Sequence, residues 1–192
     1  MTIVVPALNG PAARPAVRPR VFILRAHPTP MTERTRTFSW ADPNATAQHV
    51  GKASGLEIAR MIIEKRTPTA PIARLMDFEL VDAAAGFAAF ECQPQEFHYN
   101  PIGVVHGGLA MTLLDSAMGS AVQTTLDATQ GYTTLDVNVH LTRMITKETP
   151  RLRAEGRVVH SGRTMRTAAG ELRDAGGRLY AHGTTTCLVM QA

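Results

Sequence analysis

A single acid, Asp115, stands in the middle of an otherwise apolar run that starts at Gly107 and continues through Leu113-Leu114 and Ala117-Met118 to Leu126. An ionised carboxylate in such surroundings costs several kcal/mol unless it is paired, hydrogen-bonded or open to a pocket. In a pocket it can take a proton from an attacking water, or attack a carbonyl itself and form a mixed anhydride; the residue types alone leave both routes open. The second chemical feature is the pair Gly107-Gly108, preceded by His106 and by the turn residues Asn100-Pro101 and Gly103. Uncovered amides at a helix start can hold negative charge, including the oxyanion that develops when an ester or thioester is attacked. Two glycines at a helix start also serve plain tight packing.

The elements around these residues decide what they can do together. No proline interrupts the run from Gly107 to Leu126, which predicts one helix of about five turns. Its small residues, among them Ala110, Ala117, Gly119 and Ala121, let other backbones come close, so the helix is expected to be wrapped. Gly107 and Asp115 are eight residues apart, about 12 Å along the axis at 1.5 Å per residue. They cannot serve one carbonyl within one helix. An obligate dimer is therefore expected, with two antiparallel helices across a two-fold axis and sites shared between chains.

Residues 51–66 read as an amphipathic helix with a Ser54-x-x-Glu57 capping box, ended by Pro68 and Pro71. Strands are expected over 72–81 and 86–93, then from Gly131, and over 150–160, 164–174 and 178–190. In the strand from Gly131, Leu135, Val137, Val139 and Leu141 alternate with Thr134, Asp136, Asn138 and His140; the apolar set should face the helix. The order predicts an α+β fold, an antiparallel sheet of five to six strands around a long central helix. Met111, Leu114 and Met118 are candidates to line a pocket.

The string Asn100-x-x-Gly103-x-x-His106-Gly107-Gly108 followed by Asp115 resembles the signature of the PaaI-type branch of the hotdog-fold acyl-CoA thioesterases. The resemblance runs from about residue 54 to 190 and includes the Ser161-Gly162-Arg163-Thr164 turn. It implies a hotdog fold whose dimer forms a continuous sheet, and hydrolysis of an acyl-CoA or aryl-CoA to the free acid and coenzyme A. It gives Asp115 the base or nucleophile role, Gly107 the amide that polarises the thioester carbonyl, and Asn100 a part in positioning water. His106 would contact the thioester or hold its loop, and Thr134 would set a hydroxyl beside Asp115. Arg143, Lys147, Arg163 and Arg166 are candidates for the coenzyme A phosphates. No cofactor is required on this reading, since coenzyme A enters as part of the substrate. A non-catalytic acyl-CoA binding or sensing protein and a hydratase of the same fold are the alternatives; the hydratase motif is not visible.

Composition narrows the rest. The 192 residues fit one domain, taken as 41–192, behind an N-terminal tail over 1–40. Residues 1–30 hold six of the twelve prolines and four arginines with no acid, so a disordered tail, with Met31 as a working start, is expected. Residues 1–40 carry a net +5 of the chain's +4, leaving −1 for the remainder. Nucleic-acid binding loses its main support. Residues 143–178 nonetheless hold nine Arg or Lys against four acids, a basic half that would suit phosphates. Cys92 and Cys187 sit in apolar strands, with no export signal or membrane span, which suggests a cytoplasmic protein without disulfides. No Gly-x-Ser-x-Gly elbow, phosphate loop or dinucleotide fingerprint occurs, and the histidines lack zinc spacing, so no metal is expected. A homo-oligomer is expected, a dimer at least, with tetramer and hexamer open.

Overall fold

The computed structural model describes residues 32–191; the expected tail over 1–30 and the start at Met31 lie outside them. The compact unit begins at Glu33. Residues 33–42 form no helix or strand, but Arg36 donates to the Leu75 carbonyl at 2.6 Å and lies over the Phe97 ring at 3.8 Å. A short helix α1 (Asn44–Ala47) follows, then α2 (Gly55–Ile63), α3 (Pro71–Met76), β1 (Phe78–Ala84) and β2 (Phe87–Cys92). A single 3-10 turn (Glu96–His98) leads to the long helix α4 (Gly107–Gln123), and β3 (Gln130–Leu141), β4 (Leu152–Ser161), β5 (Met165–Asp174) and β6 (Leu179–Gln191) complete the chain.

The capping box of α2 is present as its sequence requires: Glu57 N–H donates to Ser54 Oγ, and Glu57 Oε2 accepts from Ser54 N–H at 2.8 Å. The strand expected over 72–81 is only half right. Its first half is α3, begun by Pro71 at a position where a missing N–H costs nothing and closed by Asp77 in the left-handed conformation at φ 56°. The strand starts at Phe78.

The six strands form one antiparallel sheet in the order β1-β2-β4-β5-β6-β3. It wraps α4, whose Leu113, Leu114, Ala117, Met118, Ala121 and Val122 are fully buried. Burying each of the larger side chains contributes about 1.5–3 kcal/mol. A row of small residues makes the approach possible. Ala88, Gly156 and Gly170 are register partners across β2, β4 and β5, and a Cβ at Gly156 would overlap the Ala117 carbonyl of α4. One at Gly170 would come within 2.8 Å of the Met118 side chain.

The alternation expected in β3 is broken by a bulge. Thr134 pairs with Cys187 and Asp136 with Thr186, leaving Leu135 unpaired and 55% exposed. Before the bulge Tyr132 and Thr134 face α4; after it Val137, Val139 and Leu141 share the face of their buried partners Thr185, Gly183 and Ala181. Thr134 and Asp136 therefore point to opposite faces. β3 is also an edge strand, which leaves Val137 and Leu141 exposed.

The outer face of the sheet is a lattice of ion pairs. Arg153 reaches Glu91 at 3.1 Å, Glu155 at 2.9 Å and Asp82 at 3.3 Å, while Arg151, Arg157 and Arg173 pair with Glu91, Glu155 and Glu171. Exposed pairs of this kind stabilise by about 1 kcal/mol or less each. Their consequence is for function: four of the nine basic residues between 143 and 178 are engaged on the face away from α4.

Candidate active site

One stripe of α4 is left uncovered by the sheet. Met111, Thr112, Asp115, Ser116, Ser120 and Gln123 recur at helical spacing and are half-buried or exposed, whereas the other faces are buried. Asp115 thus sits inside the fold but on the open side of its helix. Thr134 Oγ1 donates to Asp115 Oδ1 at 3.2 Å, made possible because the β3 bulge follows Thr134 and keeps it on the helix face. The carboxylate opens on a cavity of about 350 Å³ between α4 and α2. Its far wall is mostly apolar, with Ile58, Ile62, Phe78, Leu80 and Phe90, and also holds Thr46 and Thr69; its α4 wall is polar.

The three expected pocket residues are not there. Leu114 and Met118 are fully buried against the sheet, and Met111 lies 46% exposed outside the cavity. They share the helix with Asp115, but at other angles. The residues that do line it with Asp115 include Ser116, Ser120, Gln123 and Tyr132, which a closer reading of the i, i+4, i+7 spacing from Ser116 would have found for the helical ones. Tyr132 was hidden by the bulge. Burial pushes its phenol up, with the nearby Cys187 and Asp115 adding to the shift, so it stays a hydroxyl donor.

The loop before α4 explains the spacing of its residues. Asn100 N–H donates to the Val104 carbonyl at 2.8 Å, and Asn100 Oδ1 accepts from Ile102 and Val104 N–H at 3.1 and 3.4 Å. Gly103 closes the turn at φ +81°, a conformation that glycine alone adopts without strain. Asn100 is therefore the brace of its own loop, with only its amide nitrogen left to donate outward. His98, overlooked in the sequence, anchors the loop from below: its Nδ1 accepts from Gln95 N–H and its Nε2 donates to the Met76 carbonyl at 2.9 Å. Burial holds His98 below its ordinary range, which keeps it neutral.

His106 is the N-cap of α4, its Nδ1 accepting from Gly108 N–H at 2.8 Å. The proton therefore sits on Nε2. This covers one of the two glycine amides expected to be free. Among the described residues the other, Gly107 N–H, has no partner. Gly107 lines a second cavity of about 350 Å³ with Asn100, Val104, Leu141, Arg143 and Met144, and a Cβ there would meet the Leu141 side chain at 2.6 Å. Asp115 and the Gly107 amide thus open on separate cavities of one chain.

The four basic candidates fall into two pairs. Arg143 and Lys147 lie beside the Gly107 loop; Arg143 lines its cavity, and Lys147 N–H donates to the Tyr99 hydroxyl at 2.9 Å. Arg163 and Arg166 lie at the other end of α4, where Arg166 clasps the Thr125 hydroxyl and the Gly162 carbonyl. Among the described residues Arg143, Lys147 and Arg163 make no side-chain hydrogen bond or ion pair.

The fold and this site can be set beside known proteins. Residues 102–181, from the loop through α4 and the following strands into β6, match the model of the Thioesterase superfamily. The fold is the hotdog fold, and the likeness to that superfamily spans these residues. Solved structures agree with the hotdog domain over most of its length. AziG of S. sahachiroi superposes with a TM-score of 0.63 at 20% identity, over 65% of this chain and 100% of that one. A phenylacetic acid degradation-related protein from Ralstonia eutropha JMP134 superposes with 0.61 at 25% identity, over 68% and 98%. A conserved protein from Pseudomonas aeruginosa does so with 0.60 at 25% identity, over 64% and 95%. No curated protein matches the chain.

Proposed function

We propose that this hotdog domain is an acyl-CoA or aryl-CoA thioesterase of the PaaI type, acting as a homodimer at least with each site shared between two chains. The superfamily match supports thioester hydrolysis as the reaction class. The observation that carries the shared site is the separation of the carboxylate from the free Gly107 amide, about 12 Å along α4 and in different cavities. A two-fold axis that sets two copies of α4 antiparallel brings the amide of one to the carboxylate of the other. β3 offers an unpaired edge for joining the sheets, and Met111, Leu135, Val137 and Leu141 are exposed beside it.

In this arrangement the acyl group lies in the Asp115 cavity of one chain and its carbonyl oxygen accepts from the Gly107 N–H of the other chain, reinforced by the positive end of that chain's helix. In the general-base route a water oxygen bonds to the carbonyl carbon as its proton passes to Asp115; the C–S bond then breaks and the thiolate is protonated. Thr134 holds the carboxylate in place. Arg143, Lys147 and Arg163 are free to meet the phosphates, whereas the clasp on Thr125 makes Arg166 a structural residue first. Two cysteines without a disulfide, the Cys92 thiol pushed up to about 12 by burial, fit a reducing cytoplasm.

The test is thiol release from a panel of short, long and aromatic acyl-CoAs, with sedimentation to read the assembly. Turnover by a species of two chains or more is expected. Binding without turnover on every member would move the protein to the binding and sensing class, and an active monomer would overturn the shared site. Within the active enzyme Thr134→Val keeps shape and removes the hydroxyl. A hydrogen bond to a charged group contributes about 1.5–3 kcal/mol, so kcat should fall by about tenfold or more and the melting temperature by about 3–12 °C.

A further inference from the structure

The last turn of α3 is capped by two distant parts of the chain at once. A helix end leaves its final carbonyls without helical donors. In α3 the Ala73 carbonyl accepts from Asp77 N–H, and side chains reach the three that follow. Arg36, in the segment 33–42, donates to the Leu75 carbonyl at 2.6 Å and to the Arg74 carbonyl at 3.4 Å. His98 Nε2 donates to the Met76 carbonyl at 2.9 Å. Cationic and donor groups are favoured at this end of a helix. Phe97 joins the two caps, since the Arg36 guanidinium lies 3.8 Å over its ring and the ring packs on the His98 imidazole with centroids 4.2 Å apart.

From His98 the contacts lead directly to the start of α4. The His98 carbonyl accepts from His106 N–H at 2.8 Å. His106 caps α4, and the next residue carries the free Gly107 amide. On its other side the loop is held by Val105 N–H on the Ile145 carbonyl at 3.0 Å and by the Tyr99 hydroxyl on Lys147 N–H. Towards α3 the hold is His98, with Arg36 and Phe97 behind it. An oxyanion donor works only when held within about 2.7–3.1 Å of the developing charge, and a misplacement of about 1 Å can cost 10²-fold in rate.

We infer that Arg36 is a positioning residue for the Gly107 amide: by clamping the turn Glu96–His98 to the end of α3 it fixes the His98 carbonyl, and through that carbonyl the first turn of α4. Its effect on catalysis rests on the thioesterase reading above. The planar guanidinium suits the place, because it can lie flat on Phe97 while two of its N–H groups reach neighbouring carbonyls; a lysine ammonium can do only part of this.

The experiment measures kcat and KM of Arg36→Ala and Arg36→Lys in the full chain, on whichever acyl-CoA the wild type hydrolyses. Arg151→Ala, which removes ion pairs on the outer face of the sheet, is the control. Arg36→Ala should lower kcat by about tenfold with KM within about twofold, because the amide acts on charge that develops after binding. Arg36→Lys should recover part of the loss, and Arg151→Ala should match the wild type. Phe97→Leu removes the aromatic face, and the double variant with Arg36→Ala should lose no more than the larger single loss. An unchanged kcat in Arg36→Ala, a change confined to KM, additive losses, or an equal loss in Arg151→Ala would overturn the inference while thiol release keeps the thioesterase reading. Hydrogen exchange of the His106 amide needs no turnover, and it should be faster by about tenfold in Arg36→Ala and unchanged in Arg151→Ala. If no thioester is turned over, that difference still supports the brace while the thioesterase reading falls, and equal exchange in the two variants ends it.

Discussion

Replacing Asp115 by asparagine is expected to lower kcat by about 10²- to 10⁴-fold on whichever thioester the wild type hydrolyses, the usual contribution of a positioned base. The exchange is nearly isosteric. Asparagine keeps an oxygen that can accept from Thr134 Oγ1, now 3.2 Å from the carboxylate, so the β3–α4 contact survives. The half-buried site also loses a charge that has one hydrogen bond and no cationic partner among the described residues. Thermal stability should therefore hold or rise while turnover collapses, a combination that a purely structural acid would not produce. Equal turnover in both proteins would remove Asp115 from the chemistry. One turnover in heavy-oxygen water, followed by mass analysis of the protein, separates the two routes: label entering the Asp115 carboxylate marks the mixed anhydride, and label in the acid product alone marks the general base.

The largest loss of stability is expected at a position with no chemistry. A Cβ at Gly156 would overlap the Ala117 carbonyl and lie at 2.6 Å from the Met118 N–H, backbone atoms inside an intact helix that cannot swing aside. Overpacking of this kind costs about 1–3 kcal/mol and occasionally more, and Gly156→Val, which adds three carbons, belongs at the upper end. For about 3 kcal/mol in a domain of this size the melting temperature should drop by about 6–12 °C. Gly131→Ala is the matched control, another strand glycine, with nothing within 4 Å of its added Cβ. If the two behave alike, the small-residue row under α4 is not what sets the distance between helix and sheet.

That row shows where reading the chain stops. Ala88, Gly156 and Gly170 carry no local signature, because their meaning comes from strand register, which brings residues far apart in the chain side by side. The helix they receive was plain by contrast, since its length, its freedom from proline and its one acid are local properties. The same division runs through the site. Asn100, Gly103, His106 and Gly107 stand within eight residues, and turn and cap chemistry predicts the loop they make. Thr134 was placed beside Asp115 by resemblance, but the reason it gets there is the Leu135 bulge, which no alternating pattern reveals. The basic half between 143 and 178 looked like one surface and is not, because alternate residues of a strand face opposite sides and Arg151, Arg153, Arg157 and Arg173 pair outward.

The order of elements, the central helix with its single acid, the amide-bearing turn and the separation of the two along α4 are written in the chain itself, since each depends on neighbours within a few turns or on the fixed rise of a helix. The cavity is not. Which side of α4 stays open, which residues wall the space beneath α2, and which arginines are free follow only from how six strands pair and where one of them bulges. Packing and register are sums over distant contacts, and no single stretch of sequence holds them.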